Sequence, residues 1–176
     1  MELIVRELTK NEVDALVLPL RRKVWHEELG MIRHEVLSPE DLRDEFEADA
    51  THFGAFADGT FAGAIRLIVR EDAVKLPSGR YLPADVTYSG RAGEISKGQV
   101  LLPFREKGIF GRLVEAAYER ACRDGACHLL ISVVGEPKVF WKYGFERLGQ
   151  PFKFFDGHLG PEQDALLYHA AVKPAQ

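Results

Sequence analysis

A basic turn containing glycine, at residues 105–112, is the stretch of the sequence best suited to bind a ligand. It follows an apolar segment that predicts a strand and precedes apolar residues at helical spacing. Arg105, Lys107 and Arg112 bring cations to the point where the first unpaired amides of the helix would lie, and Gly108 and Gly111 allow a ligand to approach the backbone closely. The spacing predicts an anion site that fits a phosphate-bearing group.

The composition limits the classes of protein that this chain can represent. Its 176 residues lie in the single-domain range, so we expect one domain over residues 1–176 with a core that needs no disulfide or metal. The net charge of -4 disfavours a general nucleic-acid surface. Cys122 and Cys127 lack CxxC spacing, so we expect them to be core thiols. The sequence shows no leader and no apolar run of membrane-spanning length, which predicts a cytoplasmic protein.

Strand and helix patterns alternate along the chain with short connections, which favours an α/β or mixed α+β fold. A capping box of Thr9 and Glu12 begins a first helix that Pro19 should kink or divide. Ser38 and Pro39 begin a second helix. The buried stripe predicted for a third helix is Phe110, Leu113, Val114, Ala117 and Ala121. The predicted strands are 3–7, 52–57, 61–69, 94–102, 129–134, 152–155 and 165–172.

Glycine and proline mark the turns between these elements. Asp58-Gly59 predicts a hairpin, Gly98 a bulge, and Pro137 the start of a short fourth helix. Residues 71–93 are rich in both residue types and match no regular element. Long loops in compact domains are functional or mobile. We therefore expect this excursion to cover one side of a functional site and set substrate choice, while contributing little to stability.

The basic turn and its context resemble the GNAT N-acetyltransferase superfamily. Arg105-Glu106-Lys107-Gly108-Ile109 follows the pyrophosphate-loop pattern of that family, with Phe110 where glycine or alanine is usual. The resemblance implies a mixed central sheet whose parallel strands 94–102 and 129–134 splay apart around an acetyl-CoA or other acyl-CoA donor, with about four flanking helices and no metal. The backbone of residues 99–101 would pair with the pantetheine arm as an added strand does. The implied donor-binding residues are Gln99, Val100, Leu101, Arg105, Lys107, Gly108, Ile109, Phe110, Gly111 and Arg112.

Glu94 is the candidate base in this resemblance. An amine must lose a proton to attack a thioester, and Glu94 stands eleven positions before Arg105, a spacing similar to that of the catalytic glutamate in GNAT histone acetyltransferases. The alternative is a structural role in which Glu94 forms an ion pair with Arg66 or Lys97.

Tyr143 is the candidate acid. Many GNAT enzymes place a tyrosine four residues before the Gly-Phe pair of the fourth helix to protonate the leaving thiolate, and Phe140 occupies that position here. Tyr143 is the nearest hydroxyl. The favoured alternative is that it packs as an aromatic residue beside Phe145.

The N-terminal half also resembles acyl-homoserine lactone synthases and the related N-acyl amino acid synthases. Three residues depart from that pattern, namely Met31, Glu47 and Lys97. On this resemblance the candidates for substrate binding are Trp25, Arg66 and Ser96. The residues that follow the pattern are Arg21, Val24, Trp25, Leu29, Gly30, Asp44, Phe46, Ala50, His52, Gly63, Arg66, Leu67, Glu94 and Ser96.

Three functions are compatible with these patterns. The first is an N-acyltransferase that moves an acetyl or longer acyl group from acyl-CoA to the primary amine of a small molecule. The second is a synthase of N-acyl amino acids or acyl-homoserine lactones that takes its acyl group from acyl carrier protein. The third is a non-catalytic module that binds acyl-CoA. We expect no nucleic-acid partner and no membrane span, and a homodimer is a further expectation.

The side chains leave both the donor and the acceptor open. A carrier protein would need an exposed basic patch, for which Arg21, Arg22, Lys23 and Arg33 are candidates. A polyamine or a basic protein tail as acceptor would suit the acidic segment 27–49. The carboxylate of an amino acid acceptor would instead pair with an arginine, and the candidates are Arg66, Arg80 and Arg91.

Overall fold

The computed structural model describes residues 1–30, 38–134, 138–154 and 163–172, and within them one seven-stranded sheet forms the centre of the fold. The strand order is β1-β2-β3-β4-β5-β7-β6. All neighbours are antiparallel except β4 and β5, which are parallel, so the predicted mixed sheet is confirmed. The strands are β1 (Leu3–Glu7), β2 (Thr51–Ala57), β3 (Thr60–Arg70), β4 (Ala92–Val100), β5 (His128–Val133), β6 (Glu146–Phe154) and β7 (Gln163–Ala171).

The N-terminal helical segment, residues 10–28, alternates between two hydrogen-bonding patterns. The α-helical stretches α1 (Lys10–Glu12) and α2 (Leu18–Arg21) alternate with π-helical turns at Val13–Val17 and Arg22–Glu28. The capping box of Thr9 and Glu12 is present as predicted. The change of pattern at Leu18 lies beside Pro19, whose missing N–H interrupts regular α-helical bonding. The segment lies on one face of the sheet and buries Val17, Leu20 and Val24.

The predicted second helix is wrong in type. Residues 38–50 form only two short 3-10 turns, Pro39–Leu42 and Glu47–Asp49, with extended backbone at Arg43 between them. The Asp44 carboxylate accepts a hydrogen bond from the amide of Phe46, a local bond that competes with helix formation.

The predicted hairpin and bulge are both present. Asp58 and Gly59 adopt the positive φ angles of a tight two-residue turn, 48° and 77°. The bulge lies in β4, where Lys97 and Gly98 together oppose the single residue Ile65 of β3. The residue with positive φ is Lys97, at 49°.

The other face of the sheet is covered by α3 (Ile109–Arg123) and the short α4 (Lys138–Trp141). Pro137 and Phe155, which were assigned to the start of α4 and to the end of a strand, lie outside the described residues. The strand predicted at 152–155 begins earlier, because β6 runs from Glu146 across a register shift after Leu148. As predicted, α3 packs Leu113, Val114, Ala117 and Ala121 into the main core. Cys122 and Cys127 are free and half-buried.

The excursion between β3 and β4, residues 71–91, is a packed part of the fold, which corrects the expectation that it contributes little to stability. It contains two 3-10 turns, Ala73–Lys75 and Pro77–Tyr81. Ala73 and Leu76 are buried, and they share an apolar cluster with Leu130 and Leu167 of the sheet. None of the helices in the described ranges is long and apolar enough to cross a membrane.

Candidate functional site

The two parallel strands part directly after Glu94. β4 and β5 pair only at Ala92–His128, Gly93–Leu129 and Glu94–Leu130. Beyond that point β4 follows β3, and β5 follows β7. The predicted splay is therefore present, and an extended ligand could add to the edge of β4 inside it, as a strand adds to a sheet.

Glu94 lies at the point where the strands part, on the face of the sheet opposite α3. Its side chain is 2% exposed, and its Oε2 accepts a hydrogen bond of 2.7 Å from the amide of Ser78. Burial raises the pKa of Glu94 to about 7, although the Ser78 hydrogen bond and the charge of Arg66 oppose that rise. A carboxyl group with this pKa can take up and release a proton near neutral pH.

A buried charge cluster lies beside Glu94 on the same face, between the N-terminal helical segment and the excursion. Arg66 reaches three side chains, because its Nη1 lies 2.7 Å from both Asp44 Oδ1 and Glu47 Oε1 and its Nε donates to Ser96 Oγ at 3.1 Å. Lys97 Nζ lies 2.8 Å from Asp44 Oδ2. The buried charge cluster comprises Arg21, Asp44, Glu47, His52, Arg66 and Lys97.

Arg21 closes the cluster from the N-terminal helical segment. Its side chain is fully buried, Nη1 lies 2.9 Å from Glu47 Oε1, and the same nitrogen donates to the carbonyl of Leu42 at 3.2 Å. His52 Nε2 lies 3.2 Å from Arg21 Nη2 and 3.1 Å from Glu47 Oε2. Because a guanidinium can only donate, Nε2 of a neutral His52 accepts from Arg21.

The cluster has three cations against two carboxylates. Burial lowers the pKa of His52 and keeps this histidine neutral near pH 7. Burial opposes ionisation of Glu47, but the charges of Arg21 and Arg66 beside it hold the pKa of that carboxyl well below its usual range. The ion pairs of Arg66 and Lys97 are made with Asp44 and Glu47, which disfavours the alternative in which these cations are the ion-pair partners of Glu94.

Several residues named from the sequence occupy other places than expected. Arg21 is fully buried, so it is not part of an exposed basic patch. Of the other residues named, Met31 and Arg33 lie outside the described residues. Arg80 lies over the ring of Tyr81, 5.1 Å from its centroid. Trp25 does lie near the cluster, with its ring centroid 5.9 Å from Lys97 Nζ.

The basic turn leads into α3 as predicted, and its cations already have partners within the chain. Arg105 donates through Nε to the carbonyl of Val100 at 2.9 Å and through Nη2 to Glu28. Lys107 donates to the carbonyl of Pro103 at 2.8 Å, and Arg112 Nη1 lies 3.2 Å from the carboxylate of Glu115. Gly108, with φ of 77°, is the residue before the first turn of α3.

Two side chains near the turn have unusual surroundings. The ring of Phe110 covers Gly98 so closely that a Cβ there would lie 2.5 Å from the ring, and it meets Phe140 edge-on at 6.2 Å. Gln99 is 2% exposed, and neither atom of its side-chain amide has a hydrogen-bond partner among the described residues. An unpaired buried amide is costly, so Gln99 is a point where a ligand or water could complete the hydrogen bonding.

Tyr143 packs as an aromatic residue against the main core, as its alternative explanation expected, but its ring partner is Tyr118 and not the expected Phe145. Its ring stacks on Tyr118 of α3 with the centroids 4.6 Å apart. Its hydroxyl oxygen is buried and has no hydrogen-bond partner among the described residues. The acid role of Tyr143 stays a prediction.

Ser78 is the site residue that sequence reasoning missed. It lies in the irregular excursion, and nothing in its local sequence indicates a contact with Glu94. The one available signal was that the excursion immediately precedes β4, the strand that carries Glu94. This order predicted that part of the excursion lies beside the site.

Comparison with known proteins finds similarity in fold but no match in sequence. Neither a protein-family model nor a curated protein matches the chain. Solved structures do match over nearly the whole chain. An acetyltransferase of the GNAT family from Streptococcus pneumoniae is 18% identical with a TM-score of 0.62, and the match covers 97% of this chain and 99% of that one.

Two further similar structures are a synthase and a protein solved with an acyl donor. FeeM, an N-acyl amino acid synthase from uncultured soil microbes, is 17% identical with a TM-score of 0.66, covering 97% of this chain and 91% of that one. YncA from Salmonella typhimurium, solved with its cofactor acetyl-CoA, is 15% identical with a TM-score of 0.65, covering 96% and 93%. The chain therefore has the fold of the GNAT superfamily, which acetyltransferases share with an N-acyl amino acid synthase.

Proposed function

We propose that this protein is an N-acyltransferase that moves an acetyl or longer acyl group from acyl-CoA to the primary amine of a small molecule. The observation that carries the proposal is Glu94, a buried carboxyl group with a pKa of about 7 at the point where β4 and β5 part. At neutral pH a substantial fraction of Glu94 is ionised and ready to accept a proton, as a general base requires. The proposal includes a single domain and a cytoplasmic location, and acyl-CoA is the donor that suits a cytoplasmic enzyme.

The donor binds along β4 and at the start of α3. Its pantetheine amides pair with the backbone of Gln99, Val100 and Leu101, in the opening between β4 and β5. Its pyrophosphate meets the first amides of α3, where Gly108 lets the backbone come close. This places the thioester near Glu94, because the opening begins at that residue.

Acyl transfer then needs one bond to form and one to break. The neutral amine attacks the thioester carbonyl carbon, the new C–N bond forms, and the C–S bond breaks. Glu94 takes the proton that the amine nitrogen loses. The departing thiolate takes a proton in turn, with Tyr143 as the candidate donor, and because a thiol is a far stronger acid than an alcohol this step needs little help.

The second candidate function is an N-acyl synthase that acts on an amino acid or a similar acceptor. The buried charge cluster favours it, since three cations against two carboxylates leave one positive charge for a substrate carboxylate near Glu94. Arg66 and Ser96 would then act in substrate binding, with Trp25 at the edge of the cluster. The likeness to FeeM supports the same reading.

Thiol release is the experiment that tests the proposal. The purified protein is incubated with acetyl-CoA, longer acyl-CoAs or acyl carrier protein, each with a library of amines that includes polyamines, amino acids and S-adenosylmethionine, and free thiol is measured. Amine-dependent release from acyl-CoA supports the first function, and release only from acyl carrier protein supports the second. Binding of acyl-CoA without amine-dependent release from either donor would contradict both and leave a non-catalytic acyl-CoA-binding module.

A further inference from the structure

The excursion between β3 and β4 supplies a hydrogen-bond donor to Glu94. The amide of Ser78 donates to Oε2 at 2.7 Å, and Ser78 is itself only 2% exposed. This amide is available because the surrounding turn does not use it. Gly79 donates to Leu76 and Leu82 donates to Gly79, while the residue before Ser78 is a proline without an N–H.

Ser78 also contacts the other parallel strand. Its hydroxyl is hydrogen-bonded to the hydroxyl of Ser132 in β5. Ser132 lies two residues beyond Leu130, which forms the last pair between β5 and β4. Ser78 therefore connects the two strands at the place where they part.

The position of Ser78 is set by packing on both sides of it. Leu76 and Ala73 are buried in the apolar cluster that also contains Leu130. On the other side, Gly79 is so close to the preceding turn that a Cβ there would lie 2.4 Å from the carbonyl oxygen of Val74. Packing thus keeps the excursion against the sheet on both sides of Ser78, and the hydrogen bond to Ser132 fixes Ser78 itself.

We propose that Ser78 is a positioning residue for Glu94, whose amide holds the carboxylate at the opening between β4 and β5 while Ser132 holds Ser78 in place. The inference rests on the proposed role of Glu94 as the base. It assigns a specific task to the excursion, which is to keep the base oriented and ready to ionise although it is buried.

The charged groups around Glu94 determine the sign of the effect. Arg66 on β3 favours the ionised carboxylate, whereas Asp44 in the 38–50 segment and burial itself oppose it. The Ser78 hydrogen bond acts with Arg66. If the hydrogen bond from Ser78 to Glu94 is weakened, the effect of burial on the carboxylate is offset less, and the pKa of Glu94 rises.

The test measures the pKa of Glu94 directly, by 13C NMR titration of the glutamate carboxyl carbons, with Glu94→Gln identifying the resonance. Ser78→Ala and Ser132→Ala remove the same hydrogen bond from its two ends. Both variants keep the Ser78 amide but loosen its position, so each should raise the pKa of Glu94 by up to about one unit, the shift expected if the hydrogen bond from that amide to the carboxylate were lost outright. The double variant should shift it no further than either single variant, because both changes break one interaction. Ser89→Ala, an exposed serine of the same excursion, is the matched control and should leave the pKa unchanged.

The pH profile of kcat/KM provides the functional readout. Its acid limb should move to higher pH by the same amount in Ser78→Ala and Ser132→Ala, while the rate at high pH recovers. An unchanged pKa and an unchanged acid limb in both variants would overturn the positioning role. If Ser78→Ala does not fold, Ser132→Ala still decides the question. The proposed function fails separately, if Glu94→Gln keeps full activity.

Discussion

Replacing Glu94 by Gln should have opposite effects on activity and on stability. The amide cannot accept the proton, so kcat should fall about a hundredfold or more at neutral pH. The amide also has no charge to bury. The pKa of Glu94 is raised from 4.5 to about 7, and at about 1.4 kcal/mol per pKa unit the ionised carboxylate costs the folded protein about 3 kcal/mol.

The sign of the pH dependence follows from the direction of this shift. Between pH 4.5 and about 7 the unfolded chain has lost the Glu94 proton while the folded protein keeps it. The free energy of unfolding of the wild type therefore falls as pH rises through this range, and it levels off above the folded pKa. Glu94→Gln lacks this contribution, so its stability relative to the wild type should rise with pH by up to about 3 kcal/mol.

Urea unfolding of both proteins at pH 5 and pH 8 measures the difference, in which the other titrating groups cancel. Glu119→Gln, an exposed change of the same charge on α3, is the control and should show no such pH dependence. The reasoning is refuted if the stability difference between Glu94→Gln and wild type is the same at both pH values, since Glu94 would then be ionised throughout as an ordinary ion-pair partner.

Three further predictions concern the donor turn, the excursion and the orphan amide. Gly108→Asp should weaken acetyl-CoA binding, measured by calorimetry, at least about tenfold, because the ligand can no longer approach the backbone closely and a negative charge is added. Gly59→Asp, at an equally open glycine with the same φ of 77°, is the control and should not weaken binding. Equal binding by both variants would remove the turn from the donor site. Leu76→Ala should lower the free energy of unfolding by about 2–5 kcal/mol, because Leu76 is buried. Val74 is exposed, so the control Val74→Ala should change the free energy of unfolding by less than about 0.5 kcal/mol. A small effect of Leu76→Ala would mean that the excursion contributes little to stability after all. Gln99→Met should stabilise the protein by about 1–3 kcal/mol in urea unfolding because it removes an unpaired buried amide, and an unchanged stability would mean that water already satisfies that amide.

Local patterns in the sequence were enough to predict the elements whose residues decide their own conformation. The Thr9 capping box, the Asp58-Gly59 turn and the apolar stripe of α3 all depend on residues within a few positions of one another. The bulge at Gly98 was predicted on the same basis, although the left-handed residue proved to be Lys97. The splay was implied by the resemblance to the GNAT superfamily, which indicated the two strands that would part.

Segments whose structure depends on distant partners were not predictable in this way. Residues 38–50 have helix-start signals, yet Asp44 and Glu47 are drawn to Arg66 on β3, and the segment forms short turns instead. In the excursion, glycine and proline were correctly taken as a sign of irregular backbone. They carried no information about the sheet residues that bury Leu76.

The sequence by itself determined that this chain builds a mixed sheet with a basic turn before a helix, and that Glu94 stands on the strand leading to that turn. Only the tertiary structure decided the pKa of Glu94, and with it whether this residue can act as a base. Its pKa depends on how completely it is buried, on the amide of Ser78 sixteen residues earlier, and on whether the nearby cations are already paired with other carboxylates. None of these is a property of spacing along the chain, because each arises from surfaces brought together by packing.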